Sequence, residues 1–425
     1  MDKKRFLPFH YGWAVLFMGA LAVFGALGLG RFGYSMILPN MQADLGINNS
    51  QAGLLATMGL IGYLALAIIG GALASKYGIR LVASLGLFLT GLGMLGMGMA
   101  RSFAVVSFWS GLSGIGSGAV NIAIMGLWPS WFTSKRRGLA SGIAVSGSSL
   151  GMIATGLLVP GIISVYGLKA WHFSWILFGI ITMILALGSF LIIRNRPGEL
   201  GLKPIGDSGI TETLVNKCQA DWRHVYFSAR VWYLGFVYIA YGFSYIVFMT
   251  FFVKHLVADA GYSGPAAGYL FTMMGWFSLP SGIIWGLVSD YLGRKRTLIV
   301  LYLIHGLAFI LFGLGNSPAY FVASAILYGI SAWSIPAIMS ATCGDMLGPE
   351  LTPAALGFIT LFFGLGQVVG PIVAGSLADA KGSFSPVFLL TSAVALAGAL
   401  SSGLLIRTTE PMIASTDEDL AEDFG

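Results

Sequence analysis

Charge is the scarcest property of this sequence. Of 425 residues only 9% are Asp, Glu, Lys or Arg, against about a quarter in a soluble globular domain. Such a chain cannot cover its surface in water. Cysteine is nearly absent: Cys218 and Cys343 are the whole set, and two distant thiols give neither a disulfide framework nor a CxxC metal site. The five histidines stand singly, so no metal constellation arises and no cofactor is expected. Also missing is the period-two alternation of lipid-facing barrel strands. What remains is apolar, 56% of the residues.

The apolar residues are gathered into runs of about 20, each long enough to cross about 30 Å of hydrocarbon as a helix. Twelve runs are legible, at roughly 11–38, 52–74, 79–99, 103–127, 139–165, 171–193, 231–256, 265–289, 297–315, 319–343, 354–378 and 385–406. The expected fold class is an all-α polytopic membrane protein. The opening "MDKKRFLPFHYGWAVLF" has a basic start, but its apolar stretch is too long and lacks a small-residue cleavage site, so it reads as a retained first helix. With the N-terminus cytoplasmic, 18 of 23 Lys and Arg fall on the cytoplasmic side and only Arg101, Lys169, Lys254 and Lys381 fall outside, with Arg31 in the membrane. This positive-inside asymmetry places both termini in the cytoplasm and makes a multi-pass plasma-membrane protein the expectation. It also explains the net charge of +6 without a nucleic-acid partner. The acidic end "DEDLAEDFG" reads as a solvated tail.

The sequence repeats itself. Shifted by 215 residues, "ADLGINNSQAGLLATM" (43–58) aligns without a gap on "ADAGYSGPAAGYLFTM" (258–273), and 13 of 38 positions are identical through Arg80 and Lys295. Asp44 pairs with Asp259, Gly53 with Gly268 and Gly78 with Gly293; the same offset later pairs Gly114 with Gly329 and Gly167 with Gly382. The domains expected are a six-helix half (1–193), a polar linker (194–230), a second half in the same orientation (231–406) and a tail (407–425). Parallel repeats of this kind place a transport site between the halves, near the bilayer midplane.

These features resemble the major facilitator superfamily, whose loop between helices 2 and 3 reads G-x-x-x-D-R/K-x-G-R/K. "GLVSDYLGRKR" (286–296) supplies Asp290, Gly293, Arg294 and Lys295, while "GALASKYGIR" (71–80) keeps Lys76, Gly78 and Arg80 but has Ser75 in place of the acid. The resemblance implies a gating latch of carboxylate and base, uncharged at Ser75 in the first half. "WFTSKRRGLASG" (131–142), with Arg136 and Arg137, and "RNRPGELGLKP" (194–204) are similar to the monocarboxylate and oxalate–formate branch. "GRFGYSMILP" with "GYLALA" (62–67) is similar to a bacterial group of unassigned porters.

Two motifs are set aside. "GLGMLG" (91–96) fits G-x-G-x-x-G, yet it lies within an apolar helix without the strand that motif needs. "GSSLG" (147–151) fits G-x-S-x-G without a strand-to-helix elbow. Both read instead as small residues that let membrane helices approach closely, and no enzyme is expected.

Arg31 is the leading site candidate. It is the only ionisable side chain between Tyr11 and Leu38 apart from the phenols of Tyr11 and Tyr34, and a central arginine costs about 2.5–3.5 kcal/mol on insertion scales. An intramembrane charge is read as functional by default; the alternative is snorkelling to the outer interface. The resemblance adds that organic-anion and organophosphate porters carry a binding arginine eight residues before a proline, the spacing of Arg31 and Pro39. Ile246, 215 residues on, is not a second arginine, which favours a monocarboxylate over a doubly charged phosphate.

Other polar faces lie on helix 4 (Ser113, Ser117, Asn121), helix 7 (Tyr238, Tyr241, Tyr245) and helix 10 (Tyr328, Ser331, Trp333), with Tyr34, Trp276 and Gln367 as further candidates. Each is open to a pathway role or to helix packing. His305 is the one centrally placed histidine, open to proton coupling or to a structural hydrogen bond. The expectation is a carrier of a small organic anion, by antiport or proton symport, sufficient as a monomer. The alternatives are a polyspecific efflux carrier, for which no intramembrane acid is present to hold cations, and a non-transporting sensor.

Overall fold

The computed structural model describes residues 10–206 and 223–405. Lys3, Lys4, Arg5, Lys217, Cys218, Arg407 and the acidic tail lie outside the described residues. All long elements among those described are helices: α1 (Tyr11–Leu45), α2 (Asn49–Tyr77), α3 (Ile79–Met99), α4 (Phe103–Met125), α5 (Ser134–Tyr166), α6 (Ala170–Ile192), α7 (Ala229–Ala258), α8 (Gly264–Ser278 with Ser281–Leu292), α9 (Arg294–Leu314), α10 (318–348), α11 (Ala354–Lys381) and α12 (Ser385–Leu404). By length and composition ten stretches can cross a membrane, or eleven with the two parts of α8, which meet at a 43° bend, taken as one. One of the ten, 136–192, is itself two helices, α5 and α6, joined by a short turn at Gly167–Lys169. The helices overrun the apolar runs that announce them: α1 continues past Leu38 to Leu45, and α5 begins at Ser134 rather than 139. Helical hydrogen bonding does not stop where the side chains turn polar.

The chain forms two compact units. Among the described residues, unit 1 takes in 10–206 together with 249–279 and 371–386; unit 2 takes in 223–248, 280–370 and 387–405. The first unit therefore includes the end of α7, the first part of α8 and the end of α11. Residues 194–206 of the polar stretch expected as a linker run along unit 1. There Ile205 N–H donates to the Trp131 carbonyl (2.8 Å) and Trp131 Nε1 donates to the Arg194 carbonyl (2.9 Å).

The repeat reappears in the backbone. Gly46 and Gly261 (φ +62° and +70°), Gly78 and Gly293 (+89° and +85°), and Gly167 and Gly382 (+57° and +70°) form three pairs of left-handed residues, each pair 215 positions apart. A side chain in that region is sterically penalised, so the turns that end equivalent helices use glycine in both halves. Asp44 and Asp259, also equivalent, are each held near the start of the sixth helix of their half. Asp44 accepts from Trp171 Nε1 (2.8 Å), and Asp259 accepts from Phe384 N–H (2.6 Å) and Ser383 Oγ (3.0 Å).

The glycine-rich matches 91–96 and 147–151 are packing contacts. A methyl built on Gly151 would lie 2.1 Å from Gly28 Cα, and one on Gly147 would lie 2.1 Å from the Ala20 carbonyl oxygen. On α3, Gly93 meets the Ser113 backbone and Gly96 meets the Trp109 ring. Backbones in such contact exchange dispersion along their length, which is how helices associate in lipid.

Candidate functional site

Arg31 is placed by a distortion of α1. Residues Phe24–Phe32 form a π-helix, and Gly33 N–H donates to the Gly28 carbonyl, five residues back. Three glycines in this stretch (Gly25, Gly28, Gly30) weaken its preference for α geometry. Gly28 is also where α1 touches α5 at Gly151. π segments inside α-helices occur frequently at functional sites.

The guanidinium of Arg31, half-buried, lies over the ring of Tyr63 on α2, 5.2 Å from its centroid. Tyr63 is 8% exposed, and its hydroxyl accepts a hydrogen bond from Asn121 Nδ2 on α4 (2.7 Å). Three helices thus contribute one residue each. The ring offers the guanidinium a cation–π contact, and an arginine is the side chain that can form two parallel bonds to one carboxylate. Tyr63 was not singled out as a site residue in the sequence, although it lies in the "GYLALA" stretch. A tyrosine in an apolar helix is unremarkable until its partners on α1 and α4 are known.

Other residues of the expected site are committed elsewhere. Tyr34 Oη donates to the Ala52 carbonyl (2.7 Å) and fixes α1 on α2. Ser117 Oγ donates to the Gly114 carbonyl within α4 (2.9 Å), and Ser113 packs against α3. Trp276, on the part of α8 within unit 1, is 59% exposed.

In unit 2 the tyrosines of α7 pack together. Tyr238, Tyr241 and Tyr245 stack on one another and around Phe363 of α11, with centroids 4.7–6.0 Å apart. Gln367 Nε2 donates to Tyr245 Oη (2.8 Å), and Tyr241 Oη donates to the Ala332 carbonyl (2.6 Å). His305 is fully buried between Tyr241 (5.9 Å) and Tyr328 (5.3 Å), with Phe309 at 5.8 Å. Neither of its ring nitrogens meets hydrogen-bond geometry with a described side chain or carbonyl, although the Ser331 backbone is close by. Its immediate neighbours are aromatic rings, with the Ser331 backbone beside them.

The two latch sequences differ as their residues do. In unit 2, Arg294 bonds Asp290, Ser289 Oγ (2.6 Å) and Asp345 (Nε to Oδ2, 2.8 Å), and Lys295 Nζ donates to the Leu405 carbonyl (2.7 Å). In unit 1, where Ser75 replaces the acid, Arg80 instead rests on the Phe190 ring (4.3 Å) and donates to the Phe190 carbonyl (2.6 Å), while Lys76 lies over the Tyr77 ring (5.2 Å). Arg137 binds the Phe132 carbonyl (3.2 Å), and Arg136 is exposed.

A further contact, absent from the sequence reading, lies within unit 1. The Asp379 carboxylate at the end of α11 accepts from the backbone N–H groups of Asn49 (3.0 Å) and Ser50 (2.8 Å) and from Ser50 Oγ. Asn48 accepts from Gln51 N–H, completing a capping box at the start of α2. Beside it, methyls built on Gly53 and Gly375 would fall 2.1 Å and 2.2 Å from the carbonyl oxygens of Pro371 and Asn49.

Comparison with known proteins agrees with this architecture. The "Hexuronate transporter" of Bacillus subtilis is 25% identical over 411 residues, covering 93% of this chain and 94% of its own length. The "Probable sulfoacetate transporter SauU" of Cupriavidus necator is 26% identical over 88% and 89%. "Monocarboxylate transporter 13" of Bos taurus is 27% identical over 80% and 75%. Among solved structures, the nucleoside transporter NupG superposes with a TM-score of 0.70 at 14% identity, over 92% of this chain and all of that one; this likeness shows the fold alone. The sequence model of the family described as "Uncharacterised MFS-type transporter YbfB" matches residues 23–402. Repeat, fold and family match agree: the chain belongs to this MFS-type transporter family and is a multi-pass membrane transporter of small molecules, not an enzyme.

Proposed function

We propose that the protein carries a small organic anion, a monocarboxylate, by alternating access, and that Arg31 holds the carboxylate. The observation that carries this reading is the assembly of Arg31, Tyr63 and Asn121. The π segment of α1 carries Arg31, and the Tyr63 ring lies beside its guanidinium. The Asn121 bond fixes the ring. The Asn121 carbonyl oxygen and the Tyr63 hydroxyl proton then offer a second acceptor and a donor for a substrate's neighbouring group. Relatives named for hexuronate, sulfoacetate and monocarboxylates support an anionic substrate.

In this reading the Lys and Arg asymmetry sets both termini in the cytoplasm, and a monomer in the plasma membrane suffices. The Asp290–Arg294–Asp345 cluster and Arg80 act in gating with Lys76, Gly78, Gly293, Lys295, Arg136 and Arg137. Tyr238, Tyr245 and Gln367 line the path, and Ser117, Trp276 and Tyr328 shape it. His305 is the group for proton coupling if transport follows a pH gradient.

Uptake into proteoliposomes tests the proposal. Labelled lactate-, formate- and oxalate-like anions are compared with a cationic dye, with and without a pH gradient. Anion uptake is expected, lost in Arg31→Ala and reduced in Tyr63→Leu. Equal uptake by Arg31→Ala, or accumulation of the dye alone, overturns it; the latter result supports efflux of cationic solutes.

A further inference from the structure

A cavity of about 610 Å³ opens in unit 2 at the meeting of helix ends: the starts of α7 and α9 and the ends of α8, α10 and α12. Its volume lies within the range of about 300–1,000 Å³ typical of ligand sites. Four cations line it, Arg230 near the start of α7 and Arg294, Lys295 and Arg296 in the first turn of α9. The helix N-terminus already carries about half a positive charge. Cations there oppose the helix dipole, and α9 has neither an acid in its first turn nor a side-chain cap. Asp290 and Asp345 both pair with Arg294, so the cluster counts four positive charges against two negative ones in all. Arg230 and Arg296 are exposed and form no ion pair among the described residues. The remaining wall is mostly apolar, with Leu292 and Leu404 41% and 75% exposed. Exposed leucines at a span end are suited to contact acyl chains.

We propose that this cavity binds the phosphate headgroup of an anionic glycerophospholipid. Arg230 and Arg296 hold the phosphate at the uncapped start of α9, and the glycerol and first acyl carbons lie along Leu292 and Leu404. A phosphate ester between two cations and a helix N-terminus meets the charge and the unsatisfied N–H groups together. Basic recesses between spans are sites of this kind. The site is separate from Arg31, and the inference stands whether or not the substrate is a carboxylate.

Full-length protein in mild detergent is titrated with short-chain phosphatidylglycerol, phosphatidylcholine or glycerol 3-phosphate, read by native mass spectrometry and by thermal unfolding. One phosphatidylglycerol is expected to be retained and to raise the unfolding midpoint, with phosphatidylcholine weaker. Arg230→Gln with Arg296→Gln weakens retention about 30-fold, about fivefold for each cation, which is what about 1 kcal/mol per cation near an anionic membrane surface converts to. Arg230→Lys with Arg296→Lys keeps most of the binding and reports that the fold survives, and Arg101→Gln, in the loop between α3 and α4 of unit 1, changes nothing. Equal retention of the two lipids, or unchanged retention by the folded Gln variant, overturns the proposal. So does stabilisation by glycerol 3-phosphate equal to that by lipid, which would make free phosphate esters the ligand. Binding by a chain truncated after Leu405 but not by the full chain overturns it in favour of the acidic tail.

Discussion

Replacing Asp379 by Ala removes three hydrogen bonds at once: those from Asn49 N–H, Ser50 N–H and Ser50 Oγ. The two amides are orphan donors at the start of α2, so the carboxylate acts as a capping group supplied from α11. Losing a cap costs about 0.5–2 kcal/mol, and a charge at a helix N-terminus adds about 0.3–1 kcal/mol. Asp379 is exposed, and solvent screening places the sum in the lower half of the combined range of about 0.8–3 kcal/mol, about 1.5 kcal/mol, or about tenfold in an equilibrium. If α2 and α11 separate during transport, the separated population rises by that factor. A cysteine replacing Ala52, which is fully buried, reports it in a background lacking Cys218 and Cys343. Maleimide labelling is expected to be about tenfold faster with Asp379→Ala and intermediate with Asp379→Asn, which retains an acceptor but no charge. A labelling rate within twofold of the parent in both variants would refute a holding role for this contact.

Gly151→Ala places a methyl against the Gly28 backbone, which cannot swing aside as a side chain would. It should destabilise by about 1–3 kcal/mol in thermal unfolding, whereas Gly161→Ala, with nothing within 4 Å, should not. Tyr241→Phe leaves the buried Ala332 carbonyl without its donor and should cost about 1–3 kcal/mol; loss of transport at unchanged stability would make the hydroxyl a substrate contact instead. Burial raises the Asp259 carboxyl, but His255, the Phe384 N–H and Ser383 outweigh it and hold the group below the usual aspartate range. Its stabilising contribution is therefore complete above the unfolded value of about 4 and is lost as pH falls through the lower folded value. Asp259→Asn should flatten the unfolding midpoint between pH 5 and pH 3 (roughly one unit either side of that value). An unchanged slope would remove Asp259 from the acid response.

The membrane class of this protein was legible residue by residue, because span length and the distribution of charge are local properties. The repeat was legible for a similar reason: Gly46 and Gly261, or Gly78 and Gly293, occupy the same left-handed turns, and steric exclusion of a side chain there writes the turn into the sequence. Arg31 was legible as a cost. Its setting was not, since nothing in α1 specifies that the ring beneath it comes from Tyr63 or that Asn121 anchors that ring from α4. The polar faces were likewise read as periodicities. Only packing separates Tyr34, held by Ala52 O, from Asn121, held by Tyr63, because hydrogen-bond partners distant in sequence leave no local pattern. Asp379 makes the same point from the other side. As one acid near a helix end it carried no signal, and its meaning lies in two amides some 330 residues away. Local rules of hydrophobic length, charge and glycine geometry determined what kind of molecule this is. Which side chains meet was decided by the tertiary structure, because those contacts join helices that the sequence orders but does not pair.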